Sequence, residues 1–111
     1  MFKSIKLFFK RINSYIKYEK AVRMADESFA MTGERSYIIK GVGKTGKHQL
    51  LIVDRKNFRI LKRKGYINHS YRIADVERNC FYCTPYLTGQ GTMSEDAKAL
   101  GKERAINWMM K

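Results

Sequence analysis

The spacing of apolar residues predicts that the chain begins with one long amphipathic helix. Apolar side chains recur every three or four residues over positions 3–32, and Gly33 is a residue type that commonly ends a helix. The apolar stripe begins with Phe2, Ile5, Phe9, Ile12 and Ile16. Beyond them it moves by about 120° to a second face, formed by Tyr15, Tyr18, Val22, Ala25 and Phe29. Unless the helix breaks near Asn13, we expect residues 1–16 to form a protruding amphipathic helical arm.

A glycine-rich segment between two β-rich runs predicts a β-hairpin. The runs are residues 36–40 (SYIIK) and 48–54 (HQLLIVD), and residues 41–46 (GVGKTG) join them. An isolated hairpin is only marginally stable, so we expect it to pack against the helices. The joining segment partly fits a phosphate-binding loop. However, His48 stands where Ser or Thr must bind magnesium, and a strand follows where a helix is required.

Two short helices are predicted after the hairpin. Asp54 is placed to cap a helix over residues 55–64, which Gly65 ends. Ser70 is placed to cap the next helix, over residues 71–82.

A last helix is predicted over residues 94–110. Thr92 and Glu95 have the spacing of a capping box at its start. The side chains expected to face the core are Ala97, Leu100, Gly101, Ala105 and Trp108. The chain is thus predicted to be a single small α+β domain over residues 1–111, with a long N-terminal helix, one β-hairpin and about three shorter helices.

The charge of the chain is large and unevenly distributed. The 111 residues include 23 Lys or Arg against 10 Asp or Glu, a net charge of +13. Seven cations and one acid lie in residues 1–24, and eight cations and one acid lie in residues 47–72. Residues 25–46 and residues 73–111 each have no net charge. Hydrophobic residues make up 44% of the chain, so it is not a disordered basic tail. Two concentrated blocks of charge predict surfaces that contact a polyanion.

The second block forms a cationic face on the predicted helix over residues 55–64. At 100° per residue, five cations fall within an arc of about 120°. They are Arg55, Lys56, Arg59, Lys62 and Arg63. Phe58 and Leu61 lie on the opposite side and give the helix an apolar surface to bury. Arg72 adds a cation nearby, and the rings of Tyr66 and Tyr71 could stack on exposed bases.

These residues predict a non-enzymatic basic module that binds nucleic acid, either RNA or DNA, through non-specific phosphate contacts. The alternative is an interaction module that acts through the N-terminal helix. Its contact residues would be Phe2, Ile5, Phe9, Ile12 and Ile16. A basic amphipathic helix can bind a partner or an anionic membrane surface. Self-association into a homodimer is the preferred form, because an exposed apolar stripe of that size is a liability on a monomer.

The cysteines and histidines suggest a weak alternative chemistry. Cys80 and Cys83 form a C-x-x-C pair, and with His48 and His69 they would suffice for one zinc ion. The order and the long gaps are unusual for a zinc finger, so buried structural thiols are the preferred interpretation. We therefore predict no metal or other cofactor, and the absence of a catalytic motif favours a non-enzyme.

Cysteine usage and the N-terminal sequence favour the cytoplasm. Lysine and arginine interrupt every apolar run in the first 17 residues, so we expect neither a secretory signal nor a membrane-spanning helix. Two cysteines three residues apart are a poor framework for disulfide bonds, which agrees with a reducing compartment.

Overall fold

Helices surround one small antiparallel sheet, which confirms the predicted α+β fold. The computed structural model describes residues 2–42, 46–86 and 89–111, with the side chains of residues 4–41, 46–86 and 89–111. In chain order the elements are α1 (Phe2–Thr32), β1 (Tyr37–Val42), β2 (His48–Val53), α2 (Phe58–Arg63), α3 (Ile73–Asn79), β3 (Tyr82–Cys83) and α4 (Glu95–Met110). The strand order is β2-β1-β3, and both neighbours run antiparallel to β1.

Helices cover both faces of the sheet, because successive side chains of a strand point to opposite faces. On the side of α1 and α4, the buried cluster includes Tyr18, Ala25, Ile38, Tyr82 and Ala105. On the side of α2 and α3, the buried cluster includes Tyr37, Ile39, Val53, Phe58 and Val76. The sheet therefore separates the molecule into two layers of helices, each with its own apolar core.

β1 and β2 form the predicted hairpin and pack against the helices. In their register Ile38 pairs with Ile52, and Gly41 pairs with Gln49. Gly46, which precedes β2, has a left-handed backbone conformation (φ +78°) that glycine adopts without strain. Of the predicted turn over residues 41–46, residues 43–45 lie outside the described part of the chain.

α1 is one helix whose two halves have different surroundings. It is continuous past Asn13, and Gly33 follows its end with φ +72° and an N–H bond of 2.8 Å to the carbonyl of Phe29. Residues 4–13 are exposed throughout, whereas Tyr18 is 1% and Ala25 is 0% exposed. The second half of α1 therefore contributes to the core and the first half does not.

The N-cap residue of α2 is Asn57 and not Asp54 as predicted, and the helix begins later than expected. The Asp54 carboxylate accepts the N–H of Asn57 at 2.7 Å, and the Asn57 side chain accepts the N–H of Asp54 at 2.8 Å. Residues 55–57 form a turn, and α2 begins at Phe58. At the other end, Gly65 (φ +86°) donates to the carbonyl of Lys62, as in a Schellman motif.

The predicted helix over residues 71–82 is too long at both ends. The Ser70 hydroxyl donates to the Asn68 side chain, and Arg72 is the residue that caps α3. The backbone N–H of Arg72 donates to the carboxylate of Asp75 at 2.9 Å, which secures the first turn.

The far end of that predicted helix is a strand, because the edge of β1 opposite β2 is available for pairing. Phe81 donates its N–H to the carbonyl of Ile38 at 2.7 Å, and Tyr82 then pairs with Ile38. Both side chains, of Phe81 and Tyr82, are 0% exposed. Burial of two large aromatic rings and sheet pairing thus override the local helical pattern.

The start of α4 differs from the predicted capping box. Ser94 is the N-cap residue, and its hydroxyl accepts the N–H of Ala97 at 3.1 Å. Thr92 instead contacts the sulfur of Cys83 at 3.0 Å.

The buried side of α4 also differs in part from the prediction. Gly101 and Ala105 are buried as expected and Trp108 is half-buried, but Ala97 and Leu100 are exposed. The backbone of Gly101 lies so close to the carbonyl of Phe81 that a Cβ atom would overlap it. This contact fixes the rotation of α4 about its axis and turns Leu100 towards solvent.

Candidate nucleic-acid interface

The cations predicted to contact phosphate share one helical register. A hydrogen bond of 3.1 Å from the N–H of Phe58 to the carbonyl of Asp54 extends the path of α2 backwards through residues 55–57. The N–H of Lys64 bonds to the carbonyl of Ile60 with the same four-residue spacing. The register presents a set of five residues that we name the α2 cationic face: Arg55, Lys56, Arg59, Lys62 and Arg63.

Two apolar side chains orient the α2 cationic face away from the core. Phe58 is buried and Leu61 is half-buried, and both pack in the cluster on the α2 and α3 side of the sheet. Four of the five cations are exposed. The fifth, Lys62, is half-buried, and its ammonium lies 4.5 Å from the centre of the Phe58 ring. The α2 cationic face therefore lies on the surface of the protein.

Nearby carboxylates offset little of this charge. Among the described residues, the only ion pair joins Lys102 to Glu19, at 2.8 Å, and it lies between α4 and α1. Arg55 shares a cleft of about 300 Å³ with Glu34 and Glu77, so part of its charge is balanced at longer range. None of the other four cations of the face lines this cleft.

The three remaining candidate residues lie beyond the end of α2. Arg72 is exposed at the start of α3. Tyr66 and Tyr71 are both half-buried, and Tyr71 donates its hydroxyl to the carbonyl of Asp75 at 3.3 Å. Tyr71 also packs against the core, so its ring is less free to stack on a base than that of Tyr66.

The candidate contact residues of the N-terminal helix lie on the exposed half of α1. Their exposed fractions are 47% for Ile5, 59% for Phe9, 39% for Ile12 and 57% for Ile16. The side chain of Phe2 lies outside the described residues. Phe8, at 62% exposed, extends the same apolar surface, which has no covering element among the described parts of the chain.

The cysteines and histidines are not assembled into a metal site. Among the described residues, no three His, Cys, Asp or Glu side chains are grouped so that they could hold a metal ion. His48 stacks on the indole of Trp108, with ring centres 3.7 Å apart, and its Nδ1 lies 2.9 Å from the carbonyl of that residue. Cys80 and Cys83 are free, half-buried thiols, and His69 is exposed.

The structure groups lysines of both charge blocks in one groove, an arrangement that the sequence analysis did not predict. A groove of about 860 Å³ lies between α1, β2 and the C-terminal end of α4, and we name it the lysine groove. Its lysines are Lys10, Lys17, Lys20, Lys47 and Lys111. The spacing of the first three on α1 places them on one side of a helix, which is a usable signal. No local pattern connects them to the last two.

Neither a family model, nor a curated protein, nor a solved structure matches this chain. None of the helices in the described residues has the length and apolarity that a membrane span requires. The chemistry of the exposed surfaces is therefore the basis on which a function is assigned.

Proposed function

We propose that this protein is a non-enzymatic, cytoplasmic module that binds nucleic acid through phosphate contacts on the α2 cationic face. Five cations on one side of a single short helical segment, four of them exposed, are the observation that carries the proposal. Arg72 extends the surface, and Tyr66 is the ring best placed to stack on a base. Two free thiols support a reducing location.

The electrostatics of the face favour a polyanion as its partner. Like charges on neighbouring turns of a helix repel one another, and this repulsion is relieved when phosphates bind between them. Each phosphate neutralised by Lys or Arg releases a counterion, so binding weakens as salt is added. Contacts of this kind fix position on a nucleic acid without reading its sequence. We therefore expect similar affinities for unrelated sequences of one length.

The test removes three cations from the face and measures binding. The variant is Arg59→Gln, Lys62→Gln and Arg63→Gln, and the probes are a fluorescent 20-nucleotide RNA and a 20-base-pair DNA duplex. Fluorescence anisotropy between 50 and 200 mM NaCl gives Kd and its salt dependence. We expect the variant to bind at least about tenfold more weakly at 100 mM NaCl. Its log–log salt slope on the duplex should be shallower by about 2 to 3.

A matched variant controls for the loss of net charge. Lys6, Arg23 and Arg104 are exposed cations on α1 and α4, the helices on the other side of the sheet from α2, and changing all three to Gln removes the same charge. This control should keep most of the affinity and most of the salt slope. Equal weakening of both variants would show that binding depends on net charge alone and would remove the α2 cationic face as the site.

The second candidate function is an interaction through the exposed half of α1. Its support is the row of large apolar side chains, from Ile5 to Ile16, that are between 39% and 62% exposed. The partner we favour is a second copy of the chain, because two such helices can bury their apolar faces on each other.

A further inference from the structure

The lysine groove is a site separate from the α2 cationic face. Its wall on α1 extends from Lys10 to Met24, and its wall on β2 extends from Gly46 to Ile52. At 1.5 Å per helical residue and 3.3 Å per strand residue, both walls are about 20 Å long. A helix and the edge of a sheet, of about equal length, therefore border one elongated groove, and seven consecutive residues from Gly46 to Ile52 line it.

The pairing of β1 with the chain around β3 shows which backbone groups of β1 face away from β2. Phe81 donates to the carbonyl of Ile38 at 2.7 Å, and Thr84 donates to the carbonyl of Ser36 at 3.0 Å. Because the N–H and C=O of one strand residue point to the same side, even-numbered residues of β1 face β3. The odd-numbered residues of β1 therefore bond to β2.

The same alternation leaves a free edge on β2. Leu51 is the register partner of Ile39, so it faces β1, and its neighbours Leu50 and Ile52 face the other way. The outward groups are thus the N–H and C=O of His48, Leu50 and Ile52. Within the described residues, the carbonyl of Ile52 accepts the side chain of Asn57 at 3.0 Å, and the others have no hydrogen-bond partner. An unpaired edge of this kind can accept another strand.

The charge of the groove selects the kind of chain that fits. Its five lysines are exposed, and no described residue that lines it is acidic. A second copy of this protein would bring five more lysines to the same edge, so β2-to-β2 pairing is opposed by repulsion. A nucleic acid would satisfy the lysines, but its backbone carries no N–H donors for the carbonyls of His48 and Leu50. An acidic peptide supplies both carboxylates and backbone donors.

We propose that the lysine groove binds an extended acidic peptide, which adds to the outer edge of β2 as a fourth strand. Backbone hydrogen bonds form with His48, Leu50 and Ile52. Carboxylates of the peptide meet the ammonium groups of Lys17 and Lys20 on the opposite wall. This mode combines main-chain bonding for affinity with side-chain pairing for selectivity. It makes the protein a link between an acidic protein segment and whatever α2 contacts.

The first test uses a fluorescent ten-residue peptide of alternating glutamate and valine. Anisotropy at 50 mM NaCl gives its Kd for the natural chain and for the double variant Lys17→Gln and Lys20→Gln. The control is Lys6→Gln with Arg23→Gln, which removes two exposed cations of α1 that do not line the groove. We expect at least about fivefold weaker binding for the groove variant and less than twofold for the control. Equal effects of the two variants would overturn the proposal.

The second test asks whether the peptide is held as a strand. A version N-methylated at alternate residues keeps every carboxylate but lacks the donors of one edge, and it should bind at least about tenfold more weakly. In the complex, amide hydrogen exchange should slow at His48, Leu50 and Ile52. It should hardly change at Leu51, which already bonds to β1. Undiminished binding of the methylated peptide, or unaltered exchange at Leu50, would overturn strand addition.

A ten-nucleotide oligothymidine is the third probe. If it binds more tightly than the peptide and loses affinity in the groove variant, the lysine groove is a nucleic-acid site and the peptide proposal is wrong. The variant in Arg59, Lys62 and Arg63 leaves the groove intact, so it should bind the peptide normally. Failure of the peptide test therefore leaves the proposed role of the α2 cationic face to be judged by its own experiment.

Discussion

The two thiols of the C-x-x-C pair differ in acidity although they are only three residues apart. The pKa of Cys83 is lowered to about 6, chiefly by its interaction with the neighbouring Cys80 thiol, and its contact with Thr92 and the charge of Arg35 act in the same direction. Burial opposes the shift. The pKa of Cys80 is raised, first by the same interaction between the two thiols and then by burial. One thiol of the pair is thus poised to react and the other is protected.

This asymmetry predicts selective alkylation. A lowered pKa means that Cys83 is mostly thiolate at pH 7, so iodoacetamide should modify it well before Cys80. Its rate should rise with pH to a plateau with a midpoint near 6. Changing Cys80 to Ala removes the interaction that lowers the pKa of Cys83 and should move the midpoint upwards. Peptide mass spectrometry over pH 5 to 9 measures both sites, and equal rates with midpoints of about 8 to 9 would contradict the asymmetry.

At the scale of elements, local signals were enough for structure that local contacts stabilise. The C-terminal ends of α1 and α2 follow from Gly33 and Gly65, each of which acts within a few residues of its own position. β3 could not be predicted in this way, because it has two residues and its partner, β1, lies about 45 residues earlier. The rotation of α4 depends on Gly101 against Phe81, which is equally non-local.

The same distinction explains which parts of the candidate sites were foreseen. The α2 cationic face lies within ten consecutive residues, so helical geometry alone groups its members. The lysine groove combines side chains of α1, the β2 segment and the end of α4, and its unpaired backbone groups depend on the side of β1 to which β3 adds. Only the folded chain brings those features together.

The exposed half of α1 predicts self-association that can be removed without loss of the fold. Phe8 and Phe9 are 62% and 59% exposed, so changing both to Gln costs the isolated chain little packing energy. Sedimentation equilibrium should show dimers of the natural chain at tens of micromolar and a dimer dissociation constant at least about tenfold higher for the variant. Its urea unfolding midpoint, measured at a concentration where both are monomers, should stay the same.

Two other results would lead to different conclusions about this helix. A natural chain that stays monomeric but binds vesicles of anionic lipid, with loss of binding in the Phe8 and Phe9 variant, would identify a membrane surface as the partner. A variant that is less stable as a monomer would show that these rings belong to the core. Both results would contradict dimerisation through the exposed half of α1.

At the scale of the whole molecule, repulsion among cations limits stability. The chain carries a net charge of +13, and its described residues contain one ion pair, between Lys102 and Glu19. Salt screens repulsion between exposed charges, so the free energy of unfolding should rise by about 1 to 2 kcal/mol between 20 and 300 mM NaCl. Urea unfolding at each ionic strength measures it.

Potassium chloride at matched ionic strength is the control, because screening does not depend on which monovalent salt is used. A fall in stability with added salt would mean that attractive pairs dominate the folded state, against the distribution of charge in the structure.

The sheet places the two proposed binding surfaces on different sides of the protein. α2 packs over the face that buries Val53, whereas the lysine groove opens beside α1, on the face where Leu50 and Ile52 pack. The two surfaces approach each other at the end of β2, where the Asn57 side chain bonds to the carbonyl of Ile52. We expect a nucleic acid on the α2 cationic face and a peptide in the lysine groove to bind at the same time.

Because α1 is continuous, its exposed half is a rigid extension of the domain. The 31 residues of α1 extend for about 46 Å, and residues 4–13 form an unbroken exposed stretch of that length. A flexible tail would allow a bound partner many positions relative to the domain. A helix that is anchored in the core by Tyr18 and Ala25 fixes both the distance and the direction of its exposed half. We therefore expect a partner that binds the exposed half of α1 to be held at a fixed distance and orientation relative to the sheet.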